Sequence, residues 1–98
     1  MIRSGRKTVA VVGTAERLIA TSTPALWLRI SAEGNNAGEV LLGDSAVDAA
    51  AGAQQGVRLG KGIAWEVPVF IPGPLDLTDL WLDVTVNTDG ASFFYMEP

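Results

Sequence analysis

Apolar and polar residues alternate without a break from Leu80 to Asn87. Leu80, Leu82, Val84 and Val86 fall on one side, and Trp81, Asp83, Thr85 and Asn87 on the other. A period of two marks a half-buried strand, because successive Cβ atoms point to opposite faces of a sheet. Asn87-Thr88-Asp89-Gly90 then supplies residues that tolerate positive φ, and Ala91-Ser92-Phe93-Phe94-Tyr95 resumes strand composition. A closing hairpin is predicted here, sealing the core of a small sheet protein.

The rest of the chain repeats this grammar. Thr8-Val9-Ala10-Val11-Val12 is a β-branched run ended by Gly13-Thr14 and predicts a first strand. Residues 15–20 are read as extended, and Thr21-Ser22-Thr23-Pro24 as a loop, since Pro24 disfavours helix at Thr23 and lacks an N–H for a ladder. Leu26, Leu28 and Ile30 alternate with Trp27, Arg29 and Ser31. The turn cluster at residues 33–38 and the run Glu39-Val40-Leu41-Leu42-Gly43 then predict a second hairpin. Residues 44–55 are rich in alanine, with Asp44 or Ser45 as a cap, but Val47 is their only larger apolar side chain. They are expected to form a surface connection with at most one helical turn. Gly56 to Gly62 reads as a short glycine-bounded strand. Ile63, Trp65, Val67, Val69 and Ile71 line one face of another, which Pro68 assigns to an edge or bulge and Pro72-Gly73-Pro74 ends.

Seven to eight short strands with turn signals between them, and no long helix, point to an all-β fold. The expectation is an antiparallel β-sandwich of jelly-roll or immunoglobulin-like type, or a small barrel. The 98 residues make one domain, which occupies residues 8–98, and 48% hydrophobic content with 18% charge is enough to bury a core. No apolar run reaches the roughly 20 residues that span a bilayer, so no membrane partner is expected. The basic start lacks the apolar stretch of a signal peptide, and synthesis in the cytoplasm is the expectation.

Charge is unevenly distributed. Arg3, Arg6 and Lys7 precede every acidic residue, which leaves four bases against eleven acids in residues 8–98, a net −7. An acidic body repels phosphate backbones, so nucleic acid is not an expected partner. Residues 1–7 read as a flexible basic arm, either solvated and disordered or tethered electrostatically to an acidic neighbouring subunit.

The chain has no His and no Cys, which removes the commonest general base, the thiol nucleophile and the strongest transition-metal ligands. The Gly56-x-x-x-Gly60-Lys61 spacing is not that of a phosphate-binding loop. Asp76, Asp79, Asp83 and Asp89 do not have the spacing of a calcium loop, and Asp83 is placed mid-strand on the polar face. No enzyme activity, metal or cofactor is therefore expected.

Tryptophan carries the remaining signal. Trp65 shares a face with Ile63 and Val67 and is assigned to the core. Trp27 and Trp81 fall on the polar faces of their strands. Three readings are open for them: a second-layer contact within the domain, a contact with another subunit, or a platform on which a sugar stacks.

Several segments together resemble a family of short virion proteins of tailed bacteriophages and prophages. They are Asn35-Asn36-Ala37-Gly38-Glu39-Val40-Leu41-Leu42-Gly43, Gly56-Val57-Arg58-Leu59-Gly60-Lys61-Gly62, Leu77-Thr78-Asp79-Leu80-Trp81-Leu82-Asp83-Val84 and Asp89-Gly90-Ala91-Ser92-Phe93-Phe94-Tyr95. The resemblance spans about residues 8–95 and rests mostly on turn glycines and strand hydrophobics. It implies a structural role without catalytic residues: a capsid decoration or head-fibre protein that binds the major capsid protein on the outside of the assembled head, contacts copies of itself, and resides in the virion. On that reading Trp27, Trp81, Arg3, Arg6 and Lys7 make the contacts. The alternative is a tail, baseplate or fibre component, or a carbohydrate-binding module with a glycan as partner.

Overall fold

Leu28, Ile30 and Ala32 are buried while Trp27, Arg29 and Ser31 point the other way, so the alternation read in the sequence becomes a strand with one face in the core. The computed structural model describes residues 1–50, 54–67 and 75–98. Its strands are β1 (Ile2–Thr8), β2 (Glu16–Arg17), β3 (Pro24–Ala25), β4 (Trp27–Ala32), β5 (Val40–Gly43), β6 (Val57–Leu59), β7 (Ala64–Val67), β8 (Leu75–Asp76), β9 (Trp81–Val84) and β10 (Gly90–Met96). One 3₁₀ turn, Leu77–Asp79, joins β8 to β9, and no α-helix occurs among the described residues.

All pairings are antiparallel. Sheet A has the order β1-β10-β4-β7, sheet B the order β2-β9-β5-β6, and β3 pairs with β8 in a separate two-residue ribbon. Reading the two orders side by side, β1 matches β2, β10 matches β9, β4 matches β5, and β7 matches β6. Each strand of one sheet is thus followed or preceded in the chain by the equivalent strand of the other. This is the strand order of an eight-stranded jelly roll, and it decides between the two sandwich types expected. Leu28, Ile30, Ala32, Ala91, Phe93 and Tyr95 from sheet A meet Val40, Leu42, Leu59, Leu82 and Val84 from sheet B in one core. Val9, Leu18 and Leu77 close it at the sides.

That topology corrects both predicted hairpins. The turn at Asn87-Thr88-Asp89-Gly90 links β9 in sheet B to β10 in sheet A, and residues 33–39 likewise carry the chain from β4 to β5 across the sandwich. Thr88 takes the positive φ, at 70°. The two crossings are tied to each other. The Asn36 amide donates to the Gly90 carbonyl at 2.8 Å and accepts from the Gly90 N–H at 3.0 Å, and the Asp89 carboxylate accepts from the N–H groups of Ala37 and Gly38 at 3.0 and 2.7 Å. Asn36 and Asp89 are both buried, which fits polar groups whose bonding is complete. Turn residues of this kind suit a tight reversal and a sheet-to-sheet crossing equally well, and only packing selects between them.

Two further expectations change. The strand predicted at residues 8–12 lies earlier, at Ile2–Thr8, and the residues assigned to a flexible arm form an edge strand in register with all of β10. Beyond Val9, three backbone N–H groups go to side chains instead of a ladder: Ala10 to Glu16, Val12 to Asn87, and Gly13, at φ 86°, to Asp83. Residues 44–50 form turns without helix, with Asp44 accepting from Ala46 and Asp48 accepting from Ala50, and Asp48 bridges to Gln55. Trp65 is half-buried against the core as assigned, while Ile63 is exposed. The expectations for Pro68, Val69, Ile71 and Pro72-Gly73-Pro74 lie outside the described residues.

Candidate interaction surface

The outer face of sheet B is not a polar, solvent-facing surface. Leu41 and Asp83 stand opposite each other on β5 and β9 and are both fully buried, because Val47 and Ala49 from the segment after β5 fold over them. Asp83 has 0% exposure. Its carboxylate accepts from Gly13 N–H at 3.1 Å, Ala49 N–H at 2.8 Å and its neighbour Val84 N–H at 2.8 Å. A buried carboxylate is tolerated only when its oxygens are engaged, and here main-chain donors from two loops engage them. One side chain therefore staples both loops to the sheet. The expectation that Asp83 lies on a solvent-facing polar side of its strand is corrected by this loop, which the low apolar content of residues 44–55 did not announce.

Trp81 belongs to the same covered layer. It is half-buried against the cluster of Leu41, Val47 and Ala49, as is Ala15, and the Arg17 guanidinium carbon lies 5.1 Å from its ring centroid. Of the three readings left open, the contact within the domain accounts for most of its surface.

The outer face of sheet A is built otherwise. Residues directly opposite in an antiparallel ladder share a face. The pairings place Ile2, Met96 and Trp27 in one row, Ser4, Phe94, Arg29 and Glu66 in the next, and Arg6, Ser92, Ser31 and Ala64 in a third. Trp27 meets Phe94 edge-on, with ring centroids 4.9 Å apart at 63°, and both rings are half-buried. Ile2 is 62% and Met96 40% exposed. Arg29 bridges to Glu66. Beside the rings runs an open groove of about 650 Å³ lined by Ile2, Ser4, Arg6, Arg29, Ser92 and Phe94. Among the described residues no loop closes over this face in the way that residues 44–50 close over sheet B.

The three arm cations are each paired within the chain. Arg3 reaches Glu97 at 2.9 Å, Arg6 reaches Glu33 at 2.7 Å, and Lys7 reaches Glu16 at 2.9 Å. Glu16 is held below the ordinary carboxylate range first by the Ala10 N–H and then by Lys7. Asp76 is held well below that range by the Ser22 hydroxyl and by the backbone N–H groups of Thr78 and Thr23. That carboxylate stitches the β3–β8 ribbon to the 3₁₀ turn, for which it is also the N-cap. Among the described residues no three acidic side chains come together as metal ligands would.

Of the residues picked from the sequence, Trp27 and Arg6 lie on this outer face, Trp27 half-buried against Phe94 and Arg6 exposed and paired with Glu33. Phe94, Ile2 and Met96, which the sequence reading passed over, join them. The signal for Phe94 lay in the run Phe93-Phe94-Tyr95, where period two sends the middle ring outward when its neighbours point inward. No family model matches this chain, and no curated protein or solved structure matches it either.

Proposed function

We propose that this protein is a non-catalytic assembly module, a phage virion protein that docks on the outside of the assembled head and stabilises it. The observation that carries the reading is the outer face of sheet A, where half-buried Trp27 and Phe94 and exposed Ile2 and Met96 lie together and no loop among the described residues folds over them. Aromatic side chains concentrate binding energy when a partner desolvates them, and an arginine beside them is the usual companion. The absence of histidine and cysteine from the sequence favours a role in contact over one in chemistry. The resemblance to short phage virion proteins agrees with both. Jelly rolls recur in viral shells, which supports the reading by analogy of fold alone.

A protein that binds the assembled shell and not its dispersed subunit stabilises the shell by mass action. The test is co-sedimentation with mature heads and, separately, with dispersed major capsid protein. Binding to heads alone, lost in Trp27→Ala and Phe94→Ala, is the expected result; equal binding by the variants removes the proposed face.

A second reading has its own observation. The groove beside Phe94 sets the hydroxyls of Ser4 and Ser92 and the guanidiniums of Arg6 and Arg29 around an aromatic ring, a donor set suited to a sugar. Glycan-array binding that Phe94→Ala abolishes would favour a tail or fibre carbohydrate-binding module, and a blank array with intact head binding would exclude it.

A further inference from the structure

We propose that the groove on the outer face of sheet A takes a carboxylate-bearing sugar, with the sugar ring against Phe94 and its carboxylate on Arg29. This rests on the carbohydrate reading and adds to it the charge of the ligand. The register fixes the layout. Ser4, Phe94 and Arg29 stand abreast on β1, β10 and β4, and Arg6, Ser92 and Ser31 stand abreast one row further along. Two rows of three side chains, about 7 Å apart at the rise of an antiparallel strand, thus form the floor. All six residues line the groove, and its volume of about 650 Å³ falls within the range of small-ligand sites.

Charge decides the class of sugar. In a chain of net charge −4, the described residues that line this groove include two bases and no acid. Arg6 meets Glu33 through Nε, at 2.7 Å, and Arg29 meets Glu66 through Nη1. A guanidinium carries five N–H donors in a planar fork, so neither pairing exhausts its arginine. Arg6 keeps both terminal nitrogens, and Arg29 keeps Nε and Nη2. Either pair can grip a second carboxylate by two parallel bonds while the glutamate steers the side chain.

The remaining groups suit the rest of a sugar. The hydroxyls of Ser4, Ser31 and Ser92 both donate and accept, as a sugar's own hydroxyls require. The Phe94 ring offers apolar surface to the C–H side of a pyranose. A neutral sugar would leave the guanidinium forks to water, and a bare anion would leave the ring and the hydroxyls unused. A uronic acid engages all three.

The test is an amide NMR titration of the full chain at low salt with four probes: the disaccharide of galacturonate, its uncharged galactose counterpart, acetate, and N-acetylglutamate amide. The uronate should give saturable shifts clustered on the six floor residues. The other three should bind about tenfold more weakly, the worth of one charge-assisted bond. Arg29→Gln should bring the two disaccharides to similar affinity. Glu66→Gln, at a residue that does not line the groove, releases Arg29 and should widen the gap between them; a merely structural Arg29 would do neither. The spectra themselves report whether each variant is folded, and the ratio of the two disaccharides in the unaltered chain decides the matter if one is not. Equal binding of the disaccharides overturns the proposal and leaves the carbohydrate reading standing, whereas binding of neither removes both. Acetate or N-acetylglutamate amide binding as tightly as the uronate also overturns it, and would assign the groove to carboxylates in general or to an acidic protein segment.

Discussion

The two outer faces of this sandwich receive nearly the same materials and end differently. Sheet B carries Trp81 and Leu41 outward and covers them with Val47 and Ala49, locking the cover with Asp83. Sheet A carries Trp27, Phe94 and Met96 outward, and no described segment covers them. An apolar side chain that meets its own chain contributes to stability, whereas one that does not is available to a partner. The contrast separates a tryptophan packed under a loop of its own chain from one that meets Phe94 across its own sheet, on the face proposed for docking, although both fall on the nominally polar side of an alternating strand.

The comparison breaks most sharply at Asp83. Asp83→Ala leaves the buried N–H of Ala49 and the part-buried N–H of Gly13 without their acceptor, and the expected loss is about 2–4 kcal/mol in urea unfolding. Amide exchange at Ala49 should accelerate with it. A change of a few tenths would mean that the cover on sheet B is incidental. Next is Val47→Ala, which removes two methyl groups from the small second core at a cost of about 1–3 kcal/mol. Trp27→Ala is the counterpart on the open face. It should cost less stability than Val47→Ala while weakening head binding by about 30-fold or more, as expected for a hot-spot aromatic. If Trp27→Ala unfolds the chain and Val47→Ala does not, the two faces have been assigned the wrong way round.

Smaller effects sharpen the picture at the edges. Gly90→Ala would set a Cβ 2.4 Å from the Lys7 carbonyl oxygen and 3.0 Å from Thr8 Cα, both backbone. Gly5→Ala would meet only the tip of the Phe93 ring. Thermal unfolding should therefore show the larger drop for Gly90→Ala, by about 1–3 kcal/mol, because a ring can turn aside and two strands cannot. The weakest expected effect is on acid stability. Asp76 and Glu16 have depressed folded-state pKa values, so the stability they contribute is present above the unfolded values near pH 4 and is lost as pH falls through the folded ones. Asp76→Asn should flatten the decline in the urea midpoint below pH 4, and a slope unchanged by that substitution would show that the Ser22, Thr23 and Thr78 bonds do not control it.

Much of the architecture was legible one strand at a time. The alternation of Leu28 and Ile30 with Trp27 and Arg29, and of Leu82 and Val84 with Trp81, found the core faces of β4 and β9, because a period of two is a local property of the backbone. Asn36, Asp89 and Gly90 were recognised as turn formers for the same reason. Their partners were not legible, since a side-chain oxygen in a turn bonds whatever loop lies nearest, and here that loop is 52 residues away for Ala37 and Asp89. The basic residues at 3, 6 and 7 read as an arm because nothing local pairs them. Their acids lie at positions 97, 33 and 16 and arrive only once both sheets have formed.

The sequence by itself determined an all-β chain, the inward faces of β4 and β9, and a composition without histidine or thiol chemistry, since these follow from side-chain type and spacing alone. Tertiary structure decided which turns cross between sheets, that Asp83 lies inside, and that half-buried Trp81 packs against a loop from elsewhere in the chain while half-buried Trp27 meets Phe94 across its own sheet. The physical reason is that burial belongs to pairs of segments: the same indole on the same side of a strand is core or contact surface according to whether another stretch of chain, far away in sequence, folds over it.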